Sequence, residues 1–164
     1  MESINYYRKI ETMGIGLVLI EIKREGIRYG LKYHRLYNNG YKPPLDISFN
    51  SSDKLMEKFS FIIQNDKIST NQIDIKIEKN SLPFNIPNEV EEKNYLHEEE
   101  GCFKINLFKN DLLLIKNKVA EGKYFGYNVD TDTILLFQNE EFCGVLIKNL
   151  KDTEIIKLKG FWLW

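Results

Sequence analysis

The sequence predicts a single α+β domain over residues 1–164, built on a mainly antiparallel β-sheet with two or three short helices. Three observations carry this expectation. The 164 residues are 43% hydrophobic and carry a formal net charge of −1, which suits one domain with a real core and is too apolar and too balanced for a disordered chain. Apolar stretches rich in Ile, Val, Leu, Phe and Tyr recur at strand length, several alternating with polar residues. No internal repeat or linker separates these parts, and one segment has clear helical spacing.

Ser3 to Thr12 places Ile4, Tyr7 and Ile10 at helical steps, which predicts a short N-terminal helix. Ile15 to Lys23 and Ile27 to Tyr37 then read as two strands joined through Arg24-Glu25-Gly26 as a hairpin. Asn38-Asn39-Gly40 tolerates positive φ, and Pro43-Pro44 cannot donate to a ladder, so a loop follows. Ser51 or Ser52 can cap a helix from Asp53 to about Gln64, where Asp53 favours the positive end of the dipole and Leu55, Met56, Phe59, Ile62 and Ile63 share one face. Gln72 to Glu78 alternates Ile73, Ile75 and Ile77 with Asp74 and Lys76, the pattern of a half-buried strand.

Residues 80–101 contain Pro83, Pro87 and many glutamates, and predict a long acidic loop. Phe103, Ile105 and Leu107 alternate again as a strand. Over 111–121 the signal is divided: Asn110 as cap, Leu112, Ile115 and Val119 on one face and Gly122 as terminator favour a helix, although the run Leu112 to Ile115 would equally suit a buried strand. The helix is the reading adopted. Tyr124 to Val129, Ile134 to Gln138, Phe142 to Asn149 and Glu154 to Trp164 complete a meander.

Several classes of function lose support at this stage. The longest apolar run, Gly14 to Ile22, is broken by Glu21 and is about half of the roughly 20 residues a membrane helix needs. The first nine residues are polar where a secretory signal would be apolar, so a cytoplasmic protein without a membrane partner is expected. Cys102 and Cys143 have no nearby Cys or His at ligand spacing, and each sits beside a Phe as a small core residue would. Neither a disulfide framework nor a metal site is predicted, and no cofactor is implied. Lys far outnumbers Arg and Ala120 is the sole alanine, a bias typical of AT-rich bacterial genomes.

Asp130-Thr131-Asp132-Thr133 spells the D-x-D-x-T loop of haloacid-dehalogenase-like phosphotransferases, in which the first Asp attacks phosphorus and the second acts as acid and base. That family places the loop early and takes a lysine and a second acidic pair from a long following stretch, whereas 31 residues follow Thr133. A tight turn of turn-favouring aspartates is the better reading. Met13-Gly14-Ile15-Gly16 opens like a nucleotide-binding turn, but Leu19 stands at the third glycine position and no strand precedes it. His34 and His97 are the only histidines, and each suits a surface or interstrand polar residue. No catalytic residue is assigned. An enzyme would need a site assembled in space from residues scattered along the chain.

Charge is the informative feature. Residues 1–45 carry a net +4, residues 46–100 a net −6 and residues 101–164 a net +1. Half of the twelve acids of the middle third are Glu89, Glu91, Glu92, Glu98, Glu99 and Glu100, opposed by Lys93 alone, with Tyr95 and Leu96 among them. Close like charges repel unless a cation or solvent screens them, so the segment is either a solvated loop or a docking surface for a basic protein. Nuclease inhibitors use such carboxylates in place of substrate phosphates and to steer association. The favoured expectation is therefore a small stoichiometric inhibitor, such as a bacterial immunity protein neutralising a toxin or a phage-encoded inhibitor of a host defence. Its partner-binding residues would be Glu89, Glu91, Glu92, Tyr95, Glu98, Glu99 and Glu100. Single-stranded nucleic acid is the less favoured partner; its candidate surface is Lys23, Arg24, Arg28, Lys32, Arg35 and Lys42 with Tyr29, Tyr33, Tyr37 and Tyr41 near the first hairpin. The terminal Phe161-Trp162-Leu163-Trp164 reads as a last strand docked in the core, or else as an interface anchor.

Overall fold

The computed structural model describes residues 4–14, 16–26, 32–38, 40, 43–64, 66–72, 75–79, 96–117, 122–139 and 141–159. Among these, the strands are β1 (Tyr6–Gly14), β2 (Leu17–Arg24), β3 (Lys32–Asn38), β4 (Leu45–Asn50), β5 (Met56–Gln64), β6 (Ile68–Ser69), β7 (Ile77–Lys79), β8 (Leu96–Glu100), β9 (Phe103–Phe108), β10 (Asp111–Lys116), β11 (Tyr124–Asn128), β12 (Thr133–Gln138) and β13 (Glu141–Ile147). One helix, α1 (Asp152–Lys159), follows them. The chain groups into two compact units, one formed by the described residues of Met1–Asn65, Phe84–Glu100 and Lys157–Trp164, the other by those of Asp66–Pro83 and Gly101–Ile156.

The first unit holds a six-stranded sheet in the order β1-β2-β5-β4-β3-β8. Its packing follows from alternation. Val18, Ile20 and Ile22 of β2 stand opposite Ile63, Phe61 and Phe59 of β5, and all six are buried; Leu19, Glu21 and Lys23 face Ile62, Ser60 and Lys58 on the other side. Ile47 continues the apolar row across β4 by pairing with Phe59. Each such side chain taken from water contributes about 1.5–3 kcal/mol.

The second unit holds a seven-stranded sheet in the order β6-β9-β10-β13-β12-β11-β7. Leu113, Ile115, Tyr124, Leu136 and Cys143 form a buried cluster against which Ile75, Ile77, Ile134 and Leu146 pack. At Gly144 the strands come so close that a Cβ would run into the Leu114 carbonyl, so only glycine fits between β10 and β12. Antiparallel pairing dominates both sheets, and the parallel pairs are those of the short strands β6, β7 and β8.

The protein is thus predominantly β, with one short helix among the described residues, and the expected α+β class with two or three helices is corrected. Where a helix is predicted over residues 3–12, strand β1 runs from Tyr6, with exposure alternating up to Ile10, its one buried residue, and Glu11 to Gly14 all exposed. The helix predicted from Asp53 to Gln64 is β5. Its apolar residues satisfy both periods, and the period of two wins because Phe59, Phe61 and Ile63 all meet buried partners on β2, and Phe59 also meets Ile47 on β4, while aromatic and β-branched residues favour a pleated surface. The supposed cap is a hairpin loop, where Asn50 Oδ1 accepts from the Ser52 amide at 2.8 Å and Lys54 takes a φ of 65°.

Of the helix expected over 111–121, Asp111–Lys116 is strand β10, with Leu112 to Ile115 all buried, and residues 118–121 lie outside the described residues. A continuous apolar run marks a strand covered on both faces. β2 and β3 do not form the predicted hairpin, since β2 lies between β1 and β5, and β3 between β4 and β8. Of the predicted loop, residues 80–95 lie outside the described residues, and Leu96–Glu100 is a strand. The strand expected near the C-terminus begins instead as α1, with Asp152 and Glu154 in the first turn and Lys157 and Lys159 in the last, the arrangement the helix dipole favours. Glu154 Oε1 also accepts from the Lys151 amide at 2.9 Å, half of a capping box. Phe161, Trp162, Leu163 and Trp164 lie outside the described residues. No described helix is long and apolar enough to cross a membrane.

Candidate partner-binding site

Strand β8 lies at one end of the first sheet and runs parallel to β3, with Arg35 beside His97, Leu36 beside Glu98, Tyr37 beside Glu99 and Asn38 beside Glu100. Alternation then divides the acidic triplet. Glu98 and Glu100 share a face with Leu36 and Asn38, about 7 Å apart along the strand, and both are exposed. Leu96, on that same face, is 46% exposed. Glu99 projects to the opposite face beside the buried Tyr37 and is only partly exposed. Of the other predicted contact residues, Glu89, Glu91, Glu92 and Tyr95 lie outside the described residues.

The face carrying Glu99 is polar at this end of an otherwise apolar layer. Arg35 Nη1 donates to Tyr37 Oη at 3.5 Å, and its guanidinium lies 6.0 Å from the centre of the Tyr33 ring. Burial pushes the Tyr37 hydroxyl up to about 12, with Arg35 pulling it back and Glu99 adding to the rise. Glu99 therefore sits in an internal polar arrangement, whereas Glu98 and Glu100 face outward. On their side of the sheet His34 Nδ1 lies 3.1 Å from Asp46 Oδ1, and Asp46 is the cross-strand neighbour of Leu36. The outward corner of β3, β4 and β8 thus gathers Glu98, Glu100, Asp46 and His34 around Leu36 and Leu96.

Of the alternative basic surface, only part falls among the described residues. Tyr33 and Tyr37 are 2% and 1% exposed, so neither can stack on a base. Arg24 is buried and bound to Asp53 at 2.8 Å and Glu57 at 3.3 Å. Lys23 and Lys32 are exposed, while Arg28, Tyr29, Tyr41 and Lys42 lie outside the described residues.

The remaining motifs take structural roles. Asp130 Oδ1 accepts from the Asp132 amide at 2.9 Å, and Asp132 Oδ1 accepts from Asn149 Nδ2 at 2.8 Å, as a turn requires. Cys143 Sγ donates to the Leu136 carbonyl at 3.3 Å, and burial pushes its thiol up to about 12, which makes it unreactive. Cys102 is exposed. Among the described residues no three His, Cys, Asp or Glu side chains are grouped to hold a metal ion.

Sequence reasoning missed the buried group of Arg24, Asn50 and Glu57, in which Asn50 Nδ2 also donates to Glu57 at 3.2 Å. No local signal could have found it, because these residues come from three strands and meet only through the pairing of the sheet. Comparison of the chain with protein-family models found no match, and a search of curated proteins found none either.

Proposed function

We propose that this protein is a small stoichiometric inhibitor acting in the cytoplasm, either a bacterial immunity protein that neutralises a toxin or a phage-encoded inhibitor of a host defence. It docks a basic protein partner through the acidic strand β8. The observation that carries the reading is the exposure of Glu98 and Glu100 side by side on a strand at the end of a sheet, with the apolar Leu96 next to them. Carboxylates in that position attract a cationic partner from a distance and raise the association rate. An exposed leucine supplies the apolar contact that lets an encounter persist.

Glu99 contributes less to this surface than its neighbours, because it faces Tyr37. Asp46 extends the negative charge along the same face. The partner is a protein with a cluster of Lys and Arg, as a nuclease toxin has at its phosphate-binding surface.

The test is capture of the partner by the intact chain from cells of its source, followed by association kinetics at rising salt. Steered docking slows as the Debye length falls from about 30 Å at 0.01 M to about 8 Å at 0.15 M. An association rate that does not change with salt would contradict the proposal.

A further inference from the structure

We infer that β1 is a pairing surface for a second copy of this chain, and that Lys157 holds it closed. β1 is the other end strand of the first sheet. The Glu25 amide donates to the Asn5 carbonyl at 2.8 Å, one step beyond the pairing of Tyr6 with Arg24. Alternation along an antiparallel ladder then directs the backbone groups of Tyr7, Lys9 and Glu11 toward β2 and those of Ile10 away from it. The Ile10 carbonyl is not left open. Lys157 Nζ donates to it at 3.1 Å.

The sequence of β1 is complementary to itself about Ile10. In an antiparallel pair of two copies centred there, Lys9 stands opposite Glu11 of the second copy and Glu11 opposite its Lys9, on the face where the two now pair within one strand at 3.4 Å. The same two-fold brings Tyr7 toward Met13 at each end, where the register of β1 with β2 shifts between Thr12 and Gly14. Tyr7 and Met13 are 42% and 56% exposed and, with Ile4, make up three of the six exposed large hydrophobic side chains among the described residues. Opposite charges and apolar contacts placed across a ladder favour pairing. In this register the Ile10 carbonyl accepts from the Ile10 amide of the second copy, so the ammonium of Lys157 occupies the central acceptor. A lysine at an exposed strand edge is a recurrent means of keeping two sheets from joining.

The experiment is sedimentation velocity of the full chain over about a hundredfold range of concentration, since mass action drives any pairing. The wild type should remain a monomer throughout, and Lys157→Ala should shift to a dimer as concentration rises. Lys157→Met keeps the aliphatic stem without the donor and should do the same, so loss of the fold in the alanine variant leaves the test standing. Adding Lys9→Glu to either variant should abolish the dimer, and adding Glu11→Lys to that should restore it. Lys157 variants that stay monomeric, a dimer indifferent to Lys9→Glu, or a wild type that dimerises as readily as its variants would each overturn the inference.

Discussion

Arg24 and Glu57 meet at 3.3 Å, and less than a tenth of either residue is exposed. Glu57 also accepts from Asn50, and Asp53 offers Arg24 a second carboxylate, while Arg24 Nε has no hydrogen-bond partner among the described residues. The end of β2 is thereby tied to the turn between β4 and β5 by charge inside the structure.

Removing Glu57 takes from Arg24 the more buried of its two carboxylates. Glu57→Gln keeps the pair of Arg24 with Asp53 and should cost about 1–3 kcal/mol, and the double change Arg24→Met with Glu57→Leu should cost less. Urea denaturation of the two variants against wild type measures both. A Glu57→Gln protein as stable as wild type would mean that the ion pair adds nothing to the fold.

The two thiols should differ. Cys143 is pushed up to about 12 from an ordinary value of 9.0, so its contribution to stability is present below about pH 9 and is lost as pH rises toward 12. A thiol-reactive dye at neutral pH should label Cys102 quickly and Cys143 only on unfolding. Two fast thiols in the native protein would contradict the packing around β13.

Gly144→Ala should be among the most damaging small substitutions, because the added carbon meets the Leu114 carbonyl and approaches Ile115 Cα at 3.2 Å. Backbone cannot give way as a side chain does. A loss of about 3 kcal/mol, seen as a fall of several degrees in Tm, is expected.

Replacing Asp130 and Asp132 together by Asn should change stability by less than about 1 kcal/mol, since an amide oxygen can still accept from the Asp132 amide and from Asn149. Loss of a magnesium-dependent phosphatase activity in that variant would show that the aspartates are catalytic after all.

Strands flanked by clear turns were legible in the sequence. The alternation of Phe103, Ile105 and Leu107 and the segments beginning at Tyr124, Ile134 and Phe142 all correspond to strands. What misled was periodicity without context. Leu55, Met56, Phe59, Ile62 and Ile63 fit a helix face as well as a strand, and only the neighbours β2 and β4 decide between them. Leu112 to Ile115 were ambiguous for a related reason, because a strand buried on both faces shows no alternation at all. The acidic segment was visible from charge alone. That Glu99 would turn inward while Glu98 and Glu100 face out follows from β8 being a strand, which neither its charge nor the surrounding prolines could indicate.

The central claim, that β8 meets a basic partner, is tested most directly by two single charge reversals at opposite ends of the same sheet. Glu98→Lys and Glu11→Lys change the net charge equally, and both residues are exposed. With the captured partner at low salt, Glu98→Lys should slow association several-fold more than Glu11→Lys, because steering acts most strongly on charges that lie at the docking surface. Equal rates for the two variants would contradict the account and leave strand β8 as no more than a solvated edge.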